Sequence, residues 1–185
     1  MEAIKLFGKA TCHKSRFYKQ WMSDNHIPYD FYELENDVMN QEFLTLFYAN
    51  GEQHFPTIVI GNKTLRNPSV TKVSKQLIKA SVEQLEEGYS EVSYKGQKYA
   101  VTKAIFNHGK SVKVYAENLK DGDFISFNLY HTKAGLQLKP CEMPEHKVID
   151  FLKQYEHLQY GKSFSDSQMG KMYNHFGNMT ITETV

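Results

Sequence analysis

A cysteine stands where an apolar run gives way to helical periodicity, and that placement limits the folds open to this chain. Ile4-Lys5-Leu6-Phe7 reads as a short strand, and a helical pattern follows from Ser15 to about Ser23. Cys12 lies between them, in Ala10-Thr11-Cys12-His13-Lys14-Ser15. A thiol at a helix start sits beside unpaired backbone N–H groups and the positive end of the helix dipole, which favours the thiolate. Lys9 and Lys14 flank it and act in the same direction. Thiolate is the nucleophile of thiol–disulfide exchange, so Cys12 is a candidate redox centre. Taken alone, the segment fits an ordinary buried cysteine at a strand end equally well.

A second segment adds weight to the redox reading. Phe55-Pro56 precedes a β-branched run from Thr57 to Ile60, and Gly61-Asn62 marks a turn into a second strand, Lys63 to Arg66. This is a hairpin with a proline at the start of its first strand, where a missing N–H is tolerated. Ser69 is placed to cap a helix whose apolar positions Val70, Val73, Leu77 and Ile78 share one face.

With these two segments, residues 1–82 resemble the glutaredoxin family of the thioredoxin superfamily. In that family the active-site cysteine follows the first strand, and a proline with a cis peptide bond faces it; Cys12 and Pro56 match those positions. The resemblance implies an α/β, thioredoxin-like βαβαββα domain. Its elements are expected as strand 3–7, helix 13–25, strand 29–33, helix 39–49, strands 57–60 and 63–66, and helix 70–80. Thr64-Leu65-Arg66-Asn67-Pro68-Ser69 is most similar to the last hairpin of mycoredoxin-like members.

The chain departs from the family pattern in two places. Dithiol members carry a second cysteine three positions on, where this chain has Ser15. A Cys-x-x-Ser site favours monothiol exchange, in which a second thiol completes the cycle. Ser15 can donate to the Cys12 thiolate, or serve as a polar first-turn residue bonded to the backbone. The other departure concerns glutathione. Many members follow the hairpin with Gly-Gly and acidic residues that hold the tripeptide, whereas this chain has Arg66, Asn67, Pro68, Ser69 and Val70. The substrate-binding candidates are Lys9, Thr11, the backbone of Phe55, Pro56 and the Ser69 hydroxyl. The implied substrate is a disulfide-bearing protein or the mixed disulfide of a low-molecular-weight thiol, with a thiol such as glutathione as co-substrate.

No bound cofactor or metal is expected. Cluster-bridging monothiol members carry Cys-Gly-Phe-Ser, and His13-Lys14 puts bulk and charge beside the cysteine instead. The eight histidines are scattered without ligand spacing. A net charge of +1 argues against duplex DNA or an anionic membrane as partner. Met1-Glu2-Ala3 does not resemble a signal peptide, and no apolar run approaches membrane-spanning length. Two cysteines make no disulfide framework, so a cytoplasmic protein in a reducing compartment is expected.

Glu83, Glu86, Glu87 and Gly88 suit a linker over 83–88 or a helix end. Beyond it the periodicity becomes alternating, with strands expected at 92–94, 99–101, 112–115, 124–130 and 136–138. Lys95-Gly96, His108-Gly109, Asp121-Gly122-Asp123 and Lys133-Ala134-Gly135 read as turns. Pro144 is placed in the first turn of a helix with Val148, Phe151, Leu152 and Tyr155 on one stripe. Residues 89–160 thus read as a separate small α+β domain, an antiparallel sheet with one helix. Tyr94, Tyr99, Tyr115, Phe127, Tyr130, Lys103, Lys110 and Lys113 are candidates for stacking and phosphate contacts in single-stranded nucleic acid; core packing is the competing role. Cys141, in Lys139-Pro140-Cys141-Glu142, is either a resolving thiol for Cys12 or an ordinary loop cysteine. Residues 161–185 read as a loosely organised tail.

The leading function is monothiol reduction of mixed or protein disulfides through Cys12. The competing class is a catalytically silent redoxin scaffold or binding module.

Overall fold

The computed structural model describes residues 4–34, 48–49 and 52–158. The first part contains β1 (Ile4–Gly8), α1 (His13–Asp24), β2 (Tyr29–Glu33), β3 (Tyr48–Ala49), β4 (Glu52–Gln53), β5 (Thr57–Ile60), β6 (Lys63–Arg66) and α2 (Val70–Gln84). Four of the strands form a sheet in the order β2-β1-β5-β6. β1 and β2 run parallel, as a strand–helix–strand crossover through α1 requires, while β5 is antiparallel to both β1 and β6. Alternation along β1 sends Ile4 and Leu6 into a core with Tyr18 and Met22 of α1, Ile58 and Ile60 of β5, and Val73 of α2. Phe7 points the other way and clusters with Leu34, Phe55 and Val59.

The helix expected over 39–49 lies outside the described residues except at its end. There Tyr48 and Ala49 are extended and pair with Gln53 and Glu52. The Phe55–Pro56 peptide bond is cis.

The second part contains β7 (Gly88–Tyr94), β8 (Gln97–Phe106), β9 (Ser111–Asn118), β10 (Phe124–Thr132), β11 (Gly135–Pro140), α3 (Glu145–Gln154) and β12 (Glu156–His157). It is a six-stranded sheet, β11-β10-β9-β8-β7-β12, antiparallel throughout. The first five strands form a meander, and β12 returns to cover part of the open edge of β7. Lys95 and Gly96 both have positive φ, 51° and 73°, which makes the β7–β8 connection a hairpin turn matched to strand twist. Pro144 does not open the first turn of α3; it is the N-cap, with extended φ/ψ of −70°/146°.

α2 belongs to both cores. Val73 and Ala80 pack in the first, while Val82 and Leu85, just past the helix end, are buried with Val92, Phe127 and Phe151 of the second. Burying such a side chain is worth about 1.5–3 kcal/mol, and residues 83–88, read as a linker or a helix end, hold the end of α2 and a buried leucine. The last carbonyls of a helix lack partners within it. Lys103 of β8 supplies one: its Nζ donates to the carbonyls of Val82, at 2.9 Å, and Leu85. Tyr155 donates its hydroxyl to the Ser81 carbonyl at 2.6 Å. Among the described residues no helix is long and apolar enough to cross a membrane.

Candidate functional site

β1 and β5 are antiparallel neighbours with Phe7 opposite Thr57. The C-terminal end of β1 and the N-terminal end of β5 therefore share one edge of the sheet, which brings the loop holding Cys12 to the loop holding cis-Pro56. Cys12 is the N-cap residue of α1, with φ/ψ of −77°/116°, and its side chain caps no backbone group. Its N–H donates to the Lys9 carbonyl at 3.0 Å, and the Arg16 N–H donates to its carbonyl at 3.1 Å. The first turn of α1 carries no acidic residue to oppose a thiolate.

Partial burial pushes the Cys12 thiol up, but the groups around the sulfur outweigh it. The Ser15 side chain, the backbone N–H groups of Ser15 and Lys14, and the Lys14 charge together hold the thiol below its ordinary pKa. Ser15 is fully buried, and its Oγ has no hydrogen-bond partner among the described residues. A buried hydroxyl without a partner costs about 1–3 kcal/mol. Ionising the thiol beside it provides an anionic acceptor, so that cost is relieved as the proton leaves.

Further contacts tie α1 and the loop that holds Cys12 to the neighbouring loops and strand end. The Lys9 ammonium sits 5.5 Å from the centre of the Phe55 ring. The Asn67 N–H donates to the Pro56 carbonyl at 2.8 Å, and Lys14 Nζ donates to Asn67 Oδ1 at 2.9 Å. Asn67 has a φ of 41°, a left-handed conformation that asparagine tolerates better than most residues. Tyr18 of α1 donates to the Pro68 carbonyl at 2.8 Å, and Ala10 N–H donates to Glu33 Oε1 at 3.0 Å. Cys12, Ser15, Lys9, Phe55 and Pro56 are thus gathered at one end of the sheet. Thr11 is exposed in the turn before Cys12. The Ser69 hydroxyl accepts the Lys72 N–H at 3.3 Å and so caps α2.

Asn67, read in the sequence only as part of the run after the hairpin, and Gly8, which was not singled out, also support the candidate site. A Cβ on Gly8 would lie 2.3 Å from Ser15 Oγ and 2.7 Å from Ser15 Cβ. The signal available for Gly8 was its place as the last residue of a strand feeding a functional helix.

Cys141 is a free, half-buried thiol at the end of β11. Its N–H donates to the Ser126 carbonyl at 2.8 Å, and Asn128 Nδ2 donates to its sulfur at 3.2 Å. These partners belong to its own sheet, and among the described residues no disulfide or hydrogen bond joins it to Cys12. Of the eight residues considered for nucleic-acid contacts, Tyr94, Tyr99, Lys103 and Phe127 are buried beneath the second sheet. They lie on the face that α3 covers, and a base cannot stack on them. Tyr115, Tyr130, Lys110 and Lys113 remain exposed. Among the described residues, no three His, Cys, Asp or Glu side chains are grouped to hold a metal ion.

No curated protein and no solved structure gives a match to this chain. Residues 4–65 match the Glutaredoxin family model, and they span β1 through most of β6 and both loops that form the site. The N-terminal part of this chain is therefore similar to the glutaredoxin family of the thioredoxin superfamily, a family of thiol–disulfide redoxins.

Proposed function

We propose that the protein is a monothiol thiol–disulfide oxidoreductase. The observation that carries this reading is a thiol held below its ordinary pKa at the start of α1, with a buried serine where dithiol members have a second cysteine. The Cys12 thiolate attacks one sulfur of a mixed disulfide. That S–S bond breaks, a Cys12–substrate disulfide forms, and the other sulfur departs as a thiolate that takes a proton from water. A low-molecular-weight thiol such as glutathione then attacks the new disulfide, releasing the substrate sulfur into a second disulfide and restoring Cys12. Both electrons come from the thiols.

Lys9, against Phe55, and Lys14, tied to Asn67, flank Cys12 in the sequence and suit a substrate carrying carboxylates. Pro56, which has no N–H of its own, orients an extended substrate peptide along the backbone of Phe55. Two cysteines without a disulfide framework fit a reducing compartment such as the cytoplasm. Turnover of a glutathione mixed disulfide, coupled to glutathione reductase, tests the reading. Cys12→Ser should abolish turnover and Cys141→Ser should leave it intact. Unchanged turnover in Cys12→Ser would refute the mechanism, and loss in Cys141→Ser would assign that thiol to resolution.

A further inference from the structure

A cavity of about 370 Å³ lies away from the thiol, between α1, α2 and α3. Its walls are largely apolar: Trp21 from α1, Ile27 from the following loop, Val70 and Leu77 from α2, and Ile149 and Leu152 from α3. Its polar lining is basic or neutral. Lys153 and His26 contribute to it, and among the described residues no aspartate or glutamate does. Lys153 Nζ donates to Asn25 Oδ1 at 3.3 Å, a contact between the two parts of the chain made by two lining residues. The ammonium of Lys153 forms no ion pair with a carboxylate among the described residues.

We propose that this cavity binds a small anionic amphiphile, an apolar chain or ring bearing one carboxylate. Its volume falls in the range of about 300–1,000 Å³ that accepts small ligands, and it lies at a junction between structural units, where such sites are common. The apolar body replaces water against Trp21, Leu77 and Leu152, and the carboxylate takes the Lys153 ammonium in place of the neutral Asn25 amide. A cationic ligand is disfavoured by the same lining, and a purely apolar one forgoes the Lys153 contact.

Trp21 is the single tryptophan of the chain, so its emission reports on this cavity without a label. The experiment titrates full-length protein with decanoate below its micellar concentration, with decanol as the uncharged control and calorimetry as a second readout. The expected result is a saturable change in Trp21 emission with matching heat, about tenfold weaker for decanol and for Lys153→Gln. Ser74→Phe, which fills the cavity from α2, should remove the response in a variant whose circular dichroism is unchanged. Absence of saturable emission change and heat in the wild-type chain would overturn the proposal. So would equal affinity for decanol, or in Lys153→Gln, because either marks partition onto apolar surface. Lys153 is exposed, so its variant folds whether or not Ser74→Phe does.

Discussion

Gly8 and Ser15 approach so closely that a methyl group on Gly8 would lie 2.3 Å from Ser15 Oγ. The last residue of β1 is thus the floor on which the first turn of α1 rests, and Ser15 rests there beside the Cys12 thiol. Gly8→Ala should displace Ser15, raise the midpoint of Cys12 alkylation against pH, and cost about 1–3 kcal/mol of stability through overpacking. Urea denaturation and alkylation kinetics measure the two effects. A variant with both quantities unchanged would contradict the close approach.

Ser15→Ala separates the chemical role of the hydroxyl from its packing. Removing an unsatisfied buried hydroxyl should leave stability near neutral pH within about 1 kcal/mol of wild type, while the alkylation midpoint rises. The sign with pH follows from the lowered thiol pKa of the folded chain. Such a group adds stability above the unfolded thiol value of about 8.5, and that contribution is lost as pH falls through the lowered folded value. Stability of wild type relative to Ser15→Ala should therefore grow from neutral to mildly alkaline pH. A difference that shrinks over this range would count against a stabilised thiolate.

The Lys14–Asn67 contact joins the helix that carries the thiol to the loop bonded to cis-Pro56. Asn67→Ala should lose about 1–2 kcal/mol, because alanine accepts the left-handed conformation poorly. Asn67→Gly should recover that loss without restoring the contact. Both variants should bind a glutathione mixed disulfide more weakly than wild type. Full recovery of affinity in Asn67→Gly would show that Asn67 matters only for its backbone.

Tyrosines of the second core predict an alkaline limit to stability. Burial, followed by a hydrogen bond to Asp150, pushes Tyr94 up to about 12, and burial raises Tyr155. Unfolded tyrosines ionise near about 10, so above that pH the unfolded chain releases protons that the folded chain keeps. Stability should fall as pH rises beyond about 10, and the fall should be shallower in Tyr94→Phe. A urea midpoint unchanged from pH 9 to 11 would contradict this.

Much of the first sheet was legible residue by residue. The runs at 29–33, 57–60 and 63–66 are strands over those same residues, because β-branched and aromatic side chains concentrate there between turn signals. The thiol at the helix start was legible for the same local reason. Gly8 was legible only by its place after a strand and before the Cys12 turn, since its close approach to Ser15 is tertiary. α2 was read too short because Glu83 looked like the start of a linker, whereas Val82 and Leu85 have a second core to enter. In the second sheet, β7 and β8 extend beyond their apolar centres because ladder hydrogen bonding continues through polar residues such as Ser90 and Thr102. The aromatics there were grouped by type rather than by strand parity. Tyr99, Val101 and Lys103 alternate onto the covered face, which is where Lys103 meets the end of α2.

The central claim is that Cys12 is an activated nucleophile, and its alkylation rate against pH tests that most directly. It is measured in the full chain and in Cys141→Ser, so that each thiol is read separately. The account predicts a Cys12 midpoint well below the free-thiol value of about 8.5, the same in both proteins. A midpoint at or above that value would contradict it, and the domain would then be a redoxin scaffold without redox chemistry.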